Sequence, residues 1–333
     1  GHLRPLYQGE CLYAQDAFDG LRLMDLIVQG EVQQERDAIS SRTDKREQAV
    51  AKAQAAQAKR AESPAAVAAK IQPVTAPAAP FLGTRVVQDL DCRSIWPYLN
   101  RKALTRGQWQ MKRGSRSEAE HDAWLAEHAD PVIERLSLQC LEEKILQPKV
   151  VYGWFRCRGE GDDLVVLEED GRTELERFSF PRQAERRRLC ISDFFGEDDV
   201  IGMSCVTVGE EATARCKSLF ESGDFSEYLY LHGFAVETAE ALAELWHKRM
   251  RAELGIDADD AVTPEELFRQ QYRGSRYSFG YPACPDMADQ TKLFRLLQPE
   301  RIACRLTENH QIDPEQSTSA IVVHHPEAKY FAL

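Results

Sequence analysis

Apolar positions are spread unevenly along the 333 residues, and their spacing divides the chain into three stretches. Residues 1–30 hold a short β-like run, Cys11-Leu12-Tyr13-Ala14. Asp16 then stands as a cap for a helix whose apolar positions are Phe18, Leu21, Leu23, Met24 and Ile27. One strand and one helix have no partner layer to bury against, so this stretch reads as the end of an α/β domain whose body lies upstream. Residues 31–60 are built from Gln, Glu, Lys, Arg and Ala. That composition favours helix but leaves almost no face to bury, which predicts a solvated helix of roughly 45 Å at about 1.5 Å per residue. Residues 61–80 turn to Ala and Pro, with Pro64, Pro73, Pro77 and Pro80, the composition of a semi-rigid linker that lets flanking domains move.

From residue 81 to 333 the pattern is that of one α+β domain, expected to be a mainly antiparallel twisted sheet with flanking helices. Ser117 with Glu120 forms a capping-box pattern for a helix carrying Ala123, Trp124 and Leu125, and a second helix runs from about Pro131. The β-branched and aromatic run from Lys149 to Arg158, a Gly/Asp turn near 159–163 and the return Leu164–Leu167 predict a hairpin. Further strands are expected at Glu174–Phe180, Val200–Val208 and Ser319–Pro326. A long helix is predicted from about Phe225 to Leu254, softened near Gly233, and Thr263-Pro-Glu-Glu reads as another capped start.

Charge narrows the function classes. Lys plus Arg number 42 and Asp plus Glu number 54, a formal charge of −12, which argues against a general nucleic-acid or anionic-membrane binder. No apolar run is long enough to span a bilayer and no signal-peptide pattern opens the chain, so the cytoplasm is the expected compartment. The nine cysteines form no CxxC pair, so neither a zinc knuckle nor a disulfide framework is suggested.

The densest candidate chemistry lies in Arg276-Tyr-Ser-Phe-Gly-Tyr-Pro-Ala-Cys-Pro-Asp286. Pro282, Pro285 and Gly280 shape it as a loop, not a helix or central strand, and Arg276, Tyr277 and Tyr281 remain as recognition groups. With its flanks this loop resembles the S-adenosylmethionine-binding segment in the activation domain of cobalamin-dependent methionine synthase. Tyr152-Gly-Trp-Phe155 with Gly161-Asp-Asp163 continues the resemblance, as do Ser192-Asp-Phe-Phe195 with Ile201-Gly202, Glu240-Ala-Leu-Ala-Glu-Leu-Trp-His247 and His325-Pro-Glu-Ala-Lys-Tyr330. Residues 1–30 resemble the last strand and helix of that enzyme's cobalamin-binding domain, which makes residues 31–80 the connection between the two.

The resemblance implies a module that holds S-adenosylmethionine for the reductive methylation of inactive cob(II)alamin. Cobalamin itself would be bound by the upstream domain, zinc would belong only to an absent homocysteine domain, and a flavodoxin or flavoprotein reductase would donate the electron. Homocysteine and folate sites would lie in other domains, so this stretch would act as a methyltransferase only within the whole enzyme. A site of this kind presents a ligand, and the resemblance implies no catalytic nucleophile or base. Arg276 suits the ligand carboxylate or, alternatively, anchors the loop. Tyr281 offers a face to adenine or the sulfonium, whereas Tyr277 reads better as packing. Carried over from the family, Glu240 falls near the ligand's cationic end and Tyr330 near the ribose or adenine, with backbone groups of Ser278 and Gly280 as further partners. Glu240 reads equally as one solvated carboxylate of an acidic helix. Two positions depart from the family pattern. Ser94 stands where an aspartate is usual, leaving Asp91 as a weaker substitute, and Phe331 replaces a second tyrosine.

Other constellations reduce to simpler readings. His324 and His325 point to opposite faces of a strand, His121, His128 and His247 read as surface or capping residues, and Cys284 reads as packing more than as a nucleophile. The basic run Arg182–Arg188 is either a solvated loop or a landing site for an acidic flavoprotein. Three other functions stand as alternatives: a self-standing reactivation protein for another corrinoid enzyme, a non-catalytic interaction module, and a conventional methyltransferase acting on a small acceptor without any corrinoid.

Overall fold

Strand β2 (Lys149–Glu160) organises the sheet, because its twelve residues are long enough to take two partners along one edge. Its first half pairs with β1 (Gly83–Val87) and its second half with β3 (Asp163–Leu167), both antiparallel. The other edge pairs with β5 (Asp199–Thr207) from Lys149 to Cys157. β4 (Glu174–Ser179) extends the sheet beyond β3, while β9 (Ser317–Val323) and then β6 (Ser275–Tyr277) extend it beyond β5. The path is β4-β3-β2-β5-β9-β6, and every pairing is antiparallel. This computed structural model describes residues 71–333 except 185 and 186. The expectations for residues 1–30 and 31–70 lie outside the described residues.

The strands divide their side chains between two layers with a period of two. Val151, Cys157, Ile201, Met203, Cys205, Ile321 and Val323 face one cluster, which also holds Phe178, Phe194, Leu293 and Phe294. Val150, Tyr152, Trp154, Val206 and Val322 face the other, against Leu242, Leu245, Trp246 and Met250 of a long helix. β5 is buried at all nine positions because both of its faces are covered, which explains why its sequence runs apolar without clean alternation.

Among the described residues seven α-helices and two short strands accompany the main sheet. They are α1 (Cys92–Ile95), α2 (Glu118–His128), α3 (Asp130–Glu142), α4 (Glu210–Glu221) and the long helix α5 (Phe225–Glu253). α6 (Pro264–Leu267) and α7 (Gln290–Leu297) follow, and β7 (Arg305–Leu306) pairs with β8 (Ile312–Asp313) apart from the main sheet. The capping box of α2 forms as its sequence predicts, with Ser117 Oγ accepting from Glu120 N and Glu120 Oε2 accepting from Ser117 N.

Several local expectations are corrected. α5 runs 29 residues without a break at Gly233. A Cβ there would come within 2.7 Å of Gln108 Cβ and 2.9 Å of the Trp109 ring, so glycine serves close packing against residues 108–109 and does not soften the helix. Thr263 starts only the four-residue α6, and its hydroxyl donates to Glu266 Oε2 at 2.7 Å without capping the backbone. Arg276 and Tyr277 belong to an edge strand and not to the loop that follows. β1, α4, α7 and a π-helical turn at Ala103–Gln108 were not predicted. Of the predicted linker, residues 71–80 are described, and they run without helix or strand along the domain. The carbonyl of Gln72 is 3.0 Å from His325 Nε2, and Ile71 and Ala79 pack against the two cores.

Candidate functional site

The site forms where the edge strand β6 meets one face of α5. Glu237, Glu240, Glu244, His247 and Arg251 recur at three- and four-residue spacing, which places them on one side of the helix. Arg276 on β6 reaches this face, with Nη2 3.3 Å from Glu240 Oε2 and 3.6 Å from Glu244 Oε2. The three side chains differ in depth. Glu244 is 7% exposed, Arg276 21% and Glu240 44%, so the cluster grades from sealed to open along the helix.

Burial shapes the charges at the sealed end. It opposes ionisation of Arg276, but Glu240 and Glu244 more than offset it and hold the guanidinium above its ordinary range. Burial raises the Glu244 carboxyl against the lowering effect of Arg276 and Arg251, and its Oε1 is sealed without a hydrogen-bond partner among the described residues. His247 is buried edge-on to Tyr272, and burial together with Arg251, Arg276 and Lys329 drives its pKa well below the usual value. It is therefore neutral. The sequence reading of His247 and His121 as surface residues is corrected, since both are buried. His128 does lie in the last turn of α2, with Nδ1 2.9 Å from the Trp124 carbonyl.

Beneath this face lies a buried ion pair. Arg251, 1% exposed, donates from Nε and Nη2 to Asp260, with the shortest contact at 2.6 Å, and its guanidinium lies 4.0 Å from the centre of the Tyr272 ring. Tyr272 precedes β6 by three residues, so the pair supports the segment that delivers Arg276.

The loop after β6 is held by its apolar members and exposes the rest. Phe279, Ala283 and Cys284 are buried in the core, and Phe279 stacks on Phe178. Gly280 N donates to the Cys284 carbonyl and Cys284 N to the Tyr281 carbonyl, both at 3.0 Å, closing a tight turn that presents Tyr281 and Pro282 to solvent. Tyr281 is 57% exposed. Its phenol is raised first by partial burial and then by the charge of Glu240, with Arg276, Tyr330 and Glu237 also acting on it. Cys284 donates to the Ser278 carbonyl at 2.9 Å, and burial pushes its thiol up to about 12, so it packs and is not a nucleophile at neutral pH.

The C-terminal segment is bonded to the residues that lead into β6. Lys329 donates to the carbonyls of Tyr272 and Gln270, and Tyr330 N donates to Gln270 Oε1 at 2.9 Å, which fixes the backbone of Tyr330 while its ring stays 47% exposed. Tyr277 is buried, with its hydroxyl donating to the Lys329 carbonyl, and packs against Phe331. Phe331 thus fills a core position where a hydroxyl has no role.

The structure therefore brings Arg276 and Glu240 into contact and leaves the rings of Tyr281 and Tyr330 exposed. The Gly280 N–H and the Ser278 carbonyl, expected as further ligand partners, are already bonded within the loop. Asp91 makes its contacts within its own turn: it caps α1 by accepting from Arg93 N and pairs with the Arg93 side chain, while Ser94 Oγ donates to the Asp91 carbonyl. Sequence reasoning missed Glu237, Glu244 and Gln108, although the acidic stripe on α5 was readable from its spacing. The basic run is partly spent internally, with Arg182 paired to Asp162 and Asp193 and Arg187 to Glu327. His324 bonds Asp199 at 2.6 Å in the core, and no group of three candidate metal ligands occurs among the described residues.

Residues 95–333 match the family model described as vitamin B12 dependent methionine synthase, activation domain. The chain belongs to this family. Methionine synthase of Mycobacterium tuberculosis (strain ATCC 25618 / H37Rv) is 40% identical over 364 aligned positions, covering 99% of this chain and 30% of that protein. The methionine synthase of Mycobacterium leprae (strain TN) is 38% identical with the same coverage. The chain thus spans about 30% of the length of these relatives. Among solved structures, the MetH reactivation domain bound to AdoHcy superposes with a TM-score of 0.71 at 27% identity, covering 78% of this chain and 83% of that one. The sheet and flanking helices are the architecture of the activation-domain family.

In this activation domain Gly280 has φ +89°, and a Cβ would come within 2.7 Å of Met287 Sδ. Gly280→Ala is expected to destabilise the domain by about 1–2 kcal/mol, through left-handed strain plus the displaced thioether. The shift of the urea unfolding midpoint measures it.

Proposed function

We propose that this chain is the activation module of a cobalamin-dependent methionine synthase and that the cleft between β6, α5 and the C-terminal segment binds S-adenosylmethionine. In the whole enzyme the bound ligand would supply a methyl group to a cob(II)alamin held by the upstream cobalamin domain. A flavodoxin or flavoprotein reductase would supply the electron, and the cytoplasm would be its place of work. Among the described residues no helix is long and apolar enough to cross a membrane.

The observation that carries this reading is the Arg276–Glu240 contact at the open end of a partly sealed acidic cluster, flanked by two exposed tyrosines. An amino-acid zwitterion replaces such a pair group for group: its carboxylate takes the fork of Arg276 and its ammonium takes Glu240. Tyr281 and Tyr330 present flat faces for a purine or a sulfonium. The solved neighbour described as bound to AdoHcy supports a ligand of this class. The residues hold and orient, and none of them is arranged as a nucleophile with its base, which suits presentation of a donor to a cofactor bound elsewhere.

The 99% coverage by methionine synthases extends beyond the region matched by the family model, which favours this reading over a self-standing reactivation protein. Calorimetry with S-adenosylmethionine is expected to show one site on the chain, and incubation with homocysteine alone is expected to yield no methionine. Absence of binding heat, or turnover of S-adenosylmethionine with a small acceptor and no corrinoid, contradicts the proposal.

A further inference from the structure

Glu237 lies one turn before Glu240 on the same face of α5 and is 6% exposed. Gln108, from the π-helical turn that packs against Gly233, donates to its Oε1 at 3.3 Å. Its Oε2 accepts no hydrogen bond among the described residues and is not among the atoms sealed from solvent, so one oxygen is held while the other stays free. Arg276 pairs with Glu240 and Glu244 and leaves Glu237 without a cationic partner among the described residues. We infer that Glu237, oriented by Gln108, is a specificity residue of the cleft that recognises the sulfonium charge of the methyl donor and so distinguishes S-adenosylmethionine from its demethylated thioether product.

The charge count argues for it. S-adenosylmethionine carries two cations and one carboxylate, whereas S-adenosylhomocysteine carries one of each. Arg276 and Glu240 satisfy the amino-acid end of both, so only the sulfonium asks for a further anion. The ammonium and sulfonium are joined by a short carbon chain, a span that the rise of three helical residues, about 4.5 Å, matches. Glu237 and Glu240 are three residues apart on one face. The charged group acting on Glu237 is Glu240 on its own helix, the packed turn contributes the neutral Gln108 amide, and Glu237 in turn raises the Tyr281 phenol on the loop. Burial, opposed by the Gln108 hydrogen bond and reinforced by Glu240, raises the Glu237 carboxyl to about 7. In the free protein it is therefore protonated at lower pH, and a bound sulfonium must draw it back to the carboxylate. Preference for the sulfonium then rises with pH and is lost as pH falls through this range.

The inference rests on the reading of the cleft as an S-adenosylmethionine site. The test compares affinities for S-adenosylmethionine and S-adenosylhomocysteine, at about pH 6 and about pH 8, for the full chain and for Glu237→Gln and Gln108→Leu. Titration of the ligands themselves is common to all three proteins and cancels. The wild type is expected to lose about tenfold of its preference for the sulfonium on going to the lower pH. Glu237→Gln is expected to lose about as much at the higher pH and to show no such pH dependence, with S-adenosylhomocysteine affinity within about twofold of wild type as the control for folding. Gln108→Leu is expected to move the transition to higher pH, because it removes the hydrogen bond that favours the carboxylate. A Glu237→Gln protein that binds S-adenosylhomocysteine normally and retains both the preference and its pH dependence overturns this inference and leaves the binding site standing. A wild type that binds neither ligand overturns both.

Discussion

Arg276→Ala is expected to weaken S-adenosylmethionine binding by about 100-fold, close to 2.7 kcal/mol, the range found when one member of a desolvated, hydrogen-bonded charge pair is truncated. Two losses add. The ligand carboxylate forfeits its bidentate partner, and Glu240 and Glu244 are left facing each other without the cation that separates them. With the guanidinium gone, only Arg251 still opposes burial at Glu244, whose carboxyl is already raised, so the variant cluster takes up a proton more readily. Affinity in the variant should therefore fall further as pH drops, since protonation removes an anion from the cationic end of the ligand. Arg276→Lys is expected to recover only part of the binding, because an ammonium supplies charge without the planar fork. Calorimetric titration of the three proteins measures each step. An Arg276→Ala protein that is folded and binds as wild type does would remove the arginine from the site.

Asp260→Ala should cost about 3–5 kcal/mol of folding stability, the largest stability effect expected of a single residue here. Arg251 is 1% exposed and its Nη1 already lacks a partner, so removing Asp260 strands a full charge in the interior. At about 2–4 °C per kcal/mol for a domain of this size, the melting temperature should fall by roughly 10 °C. The pair itself is worth less than its rupture. Replacing both members together, as in Arg251→Met with Asp260→Leu, is expected to return most of the stability, because the desolvation penalty leaves with the charges. Thermal melts of the single and double variants decide it. The single variant should also weaken ligand binding, since Tyr272, stacked on Arg251, leads directly into the strand that carries Arg276.

How far the sequence could be read depended on how local the determining interaction was. The Ser117–Glu120 cap, the β2–β3 hairpin and the length of α5 were legible because each depends on residues a few positions apart. Gly233 misled because helix propensity counts a glycine as a weakness, while its purpose is contact with Trp109, more than a hundred residues away in sequence. β6 was hidden because a three-residue edge strand next to a Pro- and Gly-rich turn has too little pattern of its own and exists through its pairing with β9. Asp91 shows the opposite error. A carboxylate two residues before a helical arginine is first a cap, and that local use takes it before any ligand does.

What the sequence determined by itself was the α+β class, the run of family motifs and the residue types of the recognition loop, since these follow from spacing and composition. Only the tertiary structure decided which charges meet. Arg276 and the acidic face of α5 lie 32 to 39 residues apart along the chain, and they are joined because β6 closes the sheet edge beneath that helix. Burial then sorts the carboxylates of one stripe into an open Glu240, a sealed Glu244 and a half-titrating Glu237. Sequence spacing assigns three such residues to one face, but the solvent each retains depends on what packs above it.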